Sequence, residues 1–306
     1  MNEKPLGMTS KRTFVVACIP AFNEEKTVAK IVILAQKHVN KVIVCDDGSS
    51  DLTDEIAERL GAEVIRHNRN MGYGAALISL FNRARELGAD IMVTLDADGQ
   101  HNPDDIPKLV KPIVNGEADI VIGSRFLGGS TEEAPKSRVL GIKIITKLAN
   151  AISYEELTDA QSGFRAYGRR AIELIRPKEQ GMGVSMEILL KAKENGLKIK
   201  EVPINVNYKV EKPSTHNPIY HGLDVILSTI KYLSIRHPLL FYGVPGVIML
   251  LTAIGFWIWT IQIFSVTRQV ITNIVLIAIG ATIVGLIIMT TAVILWVLAS
   301  LIREIK

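Results

Sequence analysis

Cysteine is nearly absent from this 306-residue chain. The two present, Cys18 and Cys45, lie in apolar, strand-like runs. That excludes a disulfide framework and a cysteine-based zinc site, and predicts two buried thiols. No charge of one sign dominates either. The formal net charge is +4, and no Lys/Arg block is interleaved with aromatics, so the chain carries no electrostatic footprint for nucleic acid. No G-x-x-x-x-G-K-[ST] stretch occurs, which removes support for nucleotide hydrolysis. A dinucleotide fingerprint is incomplete: "NMGYGAAL" (Asn70–Leu77) supplies Gly72 and Gly74 but no third Gly, and it does not follow the first strand. It reads instead as a turn able to close over a nucleotide. Internal repeats and low-complexity tracts are missing. The first ten residues are polar and mixed, and the apolar run Phe14–Ile19 is too short for a secretory h-region, so no cleaved leader is expected.

Long uncharged runs are present, and only near the end. Leu239–Thr267 passes without a charge, Arg268 interrupts, and Gln269–Ile302 is again uncharged. Each run is long enough to cross a bilayer with tilt, so a two-helix transmembrane hairpin is expected over 239–306. Trp257, Trp259 and Trp296 fall near interfacial positions. Lys231, Arg236, Arg303 and Lys306 flank the spans on one side against Arg268 alone on the other. The positive-inside rule then places both termini and the large domain in the cytosol, on a cell or ER-type membrane. Before the spans, Ile219–His237 is amphipathic and partly basic, and is expected to lie on the membrane surface within a juxtamembrane segment 211–238. Gly280 and Gly285 allow close helix packing, and with it a homo-oligomer.

Residues 1–210 read as a catalytic domain of alternating strands and helices. Phe14–Ile19, Val42–Cys45, Ala62–Ile65, Ile91–Leu95 and Ile120–Ile122 are short apolar runs bounded by turn signals, with a further strand at Ile199–Val206. Helical patterns cover Glu25–Lys37, Thr53–Leu60, Ala75–Leu87, Pro103–Val114, Ser137–Ile152 and Ser185–Asn195. This alternation predicts an α/β fold, a mostly parallel sheet with helices on both faces. Ligands of such sheets bind beyond the carboxyl ends of the strands. There the polar clusters fall: "PAFNEE" after the first strand, "DDGSSD" after the second, "DADGQH" after the fourth and "GSRF" after the fifth.

Asp96 and Asp98 stand two residues apart in an extended segment, so both carboxylates can face one ion. A few hard oxygen ligands suit Mg2+ or Mn2+, which share the rest of their shell with substrate phosphates. Gln100 can add a carbonyl oxygen, and His101 can ligate Mn2+ or, better, orient the loop. Asn102 and Pro103 read as an N-cap and first helical residue, with Asp104 and Asp105 in the first turn. In "DDGSSD" a carboxylate can accept hydrogen bonds from a base N–H. Asn23 and Glu24 can reach a ribose or base, although Glu24 and Glu25 also suit a first helical turn.

"IPAFNEE", "CDDGSSD", "NMGYGAAL", "LDADGQHNPDD", "GSRF" and "DAQSGFRAY" occur together and in this order. Over about residues 12–210 the chain resembles the family 2 inverting glycosyltransferases of GT-A fold. More narrowly it resembles the polyisoprenyl-phosphate glycosyltransferases, among them the dolichol-phosphate mannose synthases. The resemblance implies metal-dependent transfer of a hexose from GDP-mannose or UDP-glucose to a polyisoprenyl phosphate. It puts Pro20, Phe22, Glu24 and Asp47 in the nucleotide pocket, with Asp47 on the base. Asp96, Asp98 and Gln100 would hold the metal against the diphosphate. Arg125, Arg138, Ser162 and Arg165 would receive the lipid phosphate, although Arg165 also suits a brace for the sheet. Here the chain departs from the mannose synthases: "YKVEKPSTHNP" leaves Lys209 or Lys212 for the last basic contact. Asp159 stands where related enzymes keep a base, and an already ionised phosphate acceptor gives it an orienting role instead. A hydroxyl-directed polysaccharide synthase lacks its Q-x-x-R-W motif here. A non-catalytic nucleotide-sugar sensor is at odds with both acids being intact.

Overall fold

Three short apolar runs meet at the centre of a seven-stranded sheet. β1 (Val15–Ala21) is buried along its whole length, β2 (Lys41–Asp46) from its second residue on, and β4 (Ile91–Thr94) throughout. Central parallel strands are covered on both faces, which is why they read as unbroken apolar runs. The computed structural model describes residues 13–127, 157–206 and 238–304, together with Thr146 and Ser234. The remaining strands are β3 (Glu63–Arg66), β5 (Ile120–Ser124), β6 (Arg165–Gly168) and β7 (Ile199–Pro203). The sheet order is β3-β2-β1-β4-β6-β5-β7. β6 runs antiparallel to both of its neighbours, and every other pair is parallel.

The helices are α1 (Val28–Gln36), α2 (Thr53–Arg59), α3 (Tyr73–Glu86), α4 (Ile106–Val114), α5 (Arg169–Leu174) and α6 (Val184–Glu194). Val28, Ile31, Val32 and Ala35 of α1 recur at helical spacing and are buried. They join Val15, Ala17, Ile19 and Ala21 of β1 and Ile106 and Leu109 of α4 in one core. The alternate β1 residues Val16 and Cys18 point to the opposite face, where α3 packs, so helices cover both faces. Burial pushes the Cys45 thiol up to about 12 and raises that of Cys18 further, so both stay protonated and inert.

Three expectations shift. α1 starts at Val28 rather than Glu25, because Glu24–Thr27 form a turn whose polar groups serve the site. α4 is preceded by a short 3-10 turn, Pro103–Asp105, where Asn102 accepts the Asp104 N–H at 3.2 Å. β6 and α5 were not anticipated. β6 is four residues long, begins with an arginine and ends with a glycine, so no apolar run announces it. The expected helix over 137–152 lies outside the described residues, apart from Thr146. The amphipathic segment 219–237 lies outside them too, apart from Ser234.

The chain divides into two compact units, Met1–Ser228 and Thr229–Lys306. The second contains α7 (Val244–Thr267), entered through a π-turn at Leu239–Gly243, and α8 (Thr272–Glu304). Leu239–Thr267 and Thr272–Leu301 have mean hydropathies of 2.1 and 2.5 and are long and apolar enough to cross a bilayer. Their outward side chains are apolar as well, among them Leu251, Ile261 and Ile287. In water such a face would cost folding free energy rather than supply it. The two helices approach at glycines. A Cβ on Gly285 would lie 2.8 Å from Leu250 Cδ2, and one on Gly246 would lie 3.2 Å from the Met289 nitrogen. Gly280 has nothing within 4 Å, so of the two glycines expected to permit packing only Gly285 sits in this contact. Trp257 donates from Nε1 to Thr282 Oγ1 at 3.2 Å across the hairpin.

Candidate active site

The carboxyl ends of β1 and β2 open into two loops that bind each other. Asn23, held at φ +56°, donates its N–H to Ser49 Oγ at 2.9 Å and accepts the Ser50 N–H on Oδ1 at 2.8 Å. The Glu24 N–H donates to Thr53 Oγ1 at 2.8 Å, and the Glu25 N–H to Asp51 at 3.2 Å. Asn23 thus joins the two loops through its N–H and its Oδ1. Glu24 keeps its carboxylate at the cleft. Burial first, then the nearby carboxylates of Asp98, Asp51 and Asp96, hold it above the usual carboxylate range against a hydrogen bond from Thr27. Pro20 is buried at the end of β1, and Phe22 is half-buried beside it.

Asp47 follows β2 and is built into its surroundings. Its Oδ1 accepts the Met71 N–H at 3.0 Å and faces His67 Nδ1 at 2.6 Å, while its Oδ2 accepts the Gly72 N–H at 2.8 Å. His67 Nε2 rests 2.9 Å from Ser79 Oγ. The glycines of "NMGYG" allow the turn to reach this place. Gly72 takes φ +99°, and a Cβ there would lie 2.8 Å from the Gln180 carbonyl oxygen; one on Gly74 would overlap the Glu179 and Gln180 backbone. The Ala75 N–H donates to the same Gln180 oxygen at 3.2 Å. Glu187 of α6 holds this strip, accepting the Lys178 and Glu179 N–H groups at 2.9 and 2.8 Å.

Asp96 and Asp98 lie just past β4, both partly exposed. Asp98 accepts the Gln100 N–H at 2.9 Å, and His101 Nδ1 lies 3.7 Å from Asp96 Oδ2. The pairing of β4 with β6 brings Gly163 against them: a Cβ there would stand 2.8 and 2.9 Å from the two Asp96 oxygens and 2.9 Å from Tyr73 Oη. Tyr73 shares a hydrogen bond with Asp96, and burial followed by that carboxylate drives its phenol well above its usual value. Asp104 and Asp105 go elsewhere, Asp104 to His38 at 2.7 Å and Asp105 to Lys108 at 2.6 Å. The four acids of "LDADGQHNPDD" therefore divide, two facing the cleft and two anchoring the next helix.

The donor set fits a hard divalent cation. Asp96 and Asp98 offer carboxylate oxygens and Gln100 an amide oxygen, and Asp98, Asp51 and Asp96 stand close enough to Glu24 to help raise its carboxyl. No group of three or more His, Cys, Asp or Glu side chains forms a complete metal cage among those residues.

At the other end of the cleft a buried ion pair dominates. Asp159, fully buried, takes the Arg125 guanidinium bidentately, Nε at 2.6 Å and Nη2 at 2.7 Å. β7 supports this pair from behind. Glu201 accepts the Thr158 N–H, the Thr158 hydroxyl and the Asp159 N–H, each at 2.8 Å. Ser162 is buried, and its hydroxyl finds no partner among the described residues. Of the two roles expected of Arg165, phosphate contact and brace, its surroundings favour the brace. Its guanidinium donates to the carbonyls of Ser162, Ala160 and Ser185 at 2.8, 2.7 and 3.3 Å, and only 2% of the residue is exposed. It braces the turn. Arg138, Lys209 and Lys212 lie outside the described residues.

Sequence reading missed His67, Tyr73, Gly163, Glu187 and Glu201. His67 and Glu201 sit at the end of one strand and inside another, where polar residues in an apolar run were the available signal.

The pattern of glycosyl transferase family 2 matches residues 16–176. A Methanococcus voltae protein named UDP-N-acetylglucosamine–dolichyl-phosphate N-acetylglucosaminyltransferase is 35% identical, covering 66% of this chain and 88% of its own. A dolichol-phosphate mannosyltransferase of Pyrococcus furiosus is 30% identical over 84% of this chain and 74% of its own. Glucosyl-3-phosphoglycerate synthase from Mycobacterium tuberculosis, solved with Mn2+, UDP and glucosyl-3-phosphoglycerate, aligns with a TM-score of 0.57 at 25% identity, covering 72% of this chain and 80% of that one.

Proposed function

Because the chain belongs to glycosyl transferase family 2, we propose that it transfers a hexose from a nucleotide sugar, GDP- or UDP-linked, to a polyisoprenyl phosphate, with inversion. The observation that carries this reading is the Arg125–Asp159 pair. A hydroxyl acceptor needs a base beside it. Asp159, in the place of that base, has both oxygens on one guanidinium. An acceptor that arrives ionised needs no base. A phosphate is ionised at neutral pH, and the names of the relatives, acting on dolichyl phosphate, agree with it.

In this reading a phosphate oxygen of the lipid attacks the anomeric carbon while the bond to the nucleoside diphosphate breaks, and that leaving group departs with the electron pair. No proton moves. Asp96, Asp98 and Gln100 would hold Mg2+ or Mn2+, which when bound supplies positive charge beside the leaving diphosphate. Pro20, Phe22, Glu24 and Asp47 line the nucleotide pocket. Arg125, with Ser162 near it and Arg138 and Lys209 from the undescribed segments, receives the acceptor phosphate. Residues 1–210 form the catalytic domain, 211–238 a surface segment and 239–306 the transmembrane hairpin. The flanking basic residues support a cytosolic catalytic domain and cytosolic termini.

The test is transfer of labelled sugar from GDP-mannose and UDP-glucose into a polyprenyl phosphate recovered by organic extraction. Wild-type protein yields labelled lipid with Mn2+ or Mg2+. Asp98→Ala loses at least about a hundredfold of turnover while remaining folded and membrane-bound. Near-normal turnover by that variant removes the assignment.

A further inference from the structure

Asp47 has more built-in partners than a base-reading carboxylate can spare. An ionised carboxylate offers about four lone-pair positions, two on each oxygen. Oδ1 accepts the Met71 N–H at 3.0 Å, and it also meets His67 Nδ1 at 2.6 Å. A carboxylate only accepts, so Nδ1 carries a proton and the second position on Oδ1 is filled. Oδ2 accepts the Gly72 N–H at 2.8 Å. One position, on Oδ2, remains among the described residues.

These partners are held in place. The Met71–Gly72 turn is pressed on the Gln180 carbonyl, where a Gly72 Cβ would have only 2.8 Å, and the strip carrying Gln180 is fastened by Glu187. The His67 ring is pinned at its far nitrogen, 2.9 Å from Ser79 Oγ. Only 6% of the Asp47 side chain reaches solvent. Asp46, the preceding residue, leaves its buried Oδ1 without a partner among the described residues, but its Oδ2 takes the Ser49 N–H inside its own turn, and successive residues at a strand end point to opposite faces.

Guanine presents two parallel donors, N1–H and N2–H, whose natural partner is a carboxylate with both oxygens open. Uracil presents one, the imide N3–H. A second donor carried into a buried site with no acceptor loses its hydrogen bond to water without replacement. We infer that Asp47, with His67 and the Met71–Gly72 turn filling it, selects a uridine diphosphate sugar over a guanosine diphosphate sugar. This deepens the proposed function and rests on its placing of the base at Asp47.

The test uses the full chain in detergent with Mn2+ and reads nucleotide binding by calorimetry, with ligands altered rather than the protein. UDP is expected to bind at least about tenfold more tightly than GDP, equivalent to one 1.4 kcal/mol step. N3-methyl-UDP, which lacks the single donor, is expected to lose about that factor or more. Inosine diphosphate lacks the guanine N2 amino group and is expected to bind at least as well as GDP. GDP binding as tightly as UDP, or more tightly than inosine diphosphate, overturns the inference. Transfer assays separate the two levels. Turnover from a GDP-sugar but not a UDP-sugar overturns the base selection and leaves the glycosyl transfer standing. Failure of both nucleotides to bind and of both donors to react overturns the two together.

Discussion

The two ends of the cleft are built differently. At the donor end, the loops after β1 and β2 are joined mainly by backbone N–H groups donating to the neutral side chains of Ser49, Thr53 and Asn23, with the buried Asp47 carboxylate taking the Gly72 N–H beside them. At the acceptor end the holding groups are charges: buried Asp159 on Arg125, half-buried Glu201 on the turn behind them, and buried Arg165 on three carbonyls. Loops held by many small contacts tolerate the loss of one. A buried charge that loses its partner is left desolvated and uncompensated. The acceptor end should therefore be the brittle one, both in stability and in function.

Asp159→Ala is the largest test of that contrast. It strands the Arg125 guanidinium, which is 8% exposed, and is expected to cost about 3–5 kcal/mol of unfolding free energy by denaturant titration. Asn23→Ala at the donor end should cost far less. Equal losses would erase the difference between the two ends. Gly163→Ala tests where the ends meet. Its Cβ would press on both Asp96 oxygens, and a displacement of that size is expected to lower kcat about a hundredfold while the melting temperature changes little.

Glu201→Gln is milder. It keeps an acceptor oxygen but weakens charge-assisted bonds to Thr158 and Asp159. The KM for the lipid phosphate is expected to rise about tenfold, with nucleotide binding unchanged. Equal changes in both would make Glu201 a general scaffold residue rather than one that positions the acceptor end.

Glu24 gives the smallest effect and a signed one. Its folded-state carboxyl is raised, so its stabilising contribution is present below the ordinary value of 4.5 and is lost as pH rises through the raised value. At neutral pH its charge weighs against folding. Glu24→Gln should therefore raise Tm at pH 7, the gain should close towards pH 4, and activity should fall. A variant less stable than wild type at pH 7 would contradict the crowding of acids at the donor end.

The same contrast explains what was legible in sequence. The donor end is made of contiguous stretches, each just after a strand, so "PAFNEE", "DDGSSD" and "DADGQH" declare both their position and their chemistry. The acceptor end is assembled from residues far apart in the chain. Glu201 reaches Asp159 across 42 positions, and Arg125 reaches it across 34. The pairing of β5 with β7 and with the antiparallel β6, too short and polar to be seen as a strand, brings them together. Arg165 reads two ways for a related reason. An arginine beside a cleft invites a ligand, and three carbonyls that only the fold assembles had already claimed it. The helical hairpin was readable because hydropathy needs no partner. The contact at Gly285 rather than Gly280 was not, because it depends on how two helices meet.

The Arg125–Asp159 pair has a consequence for economy in the cell. Water is the most abundant nucleophile near any activated sugar, and it must shed a proton to compete. With the nearby carboxylate clamped on a guanidinium, Asp159 is not idle to deprotonate it. In the absence of lipid the donor should then sit intact, and release of free sugar should be slow against transfer. The pair that orients the acceptor would also act as a safeguard against waste.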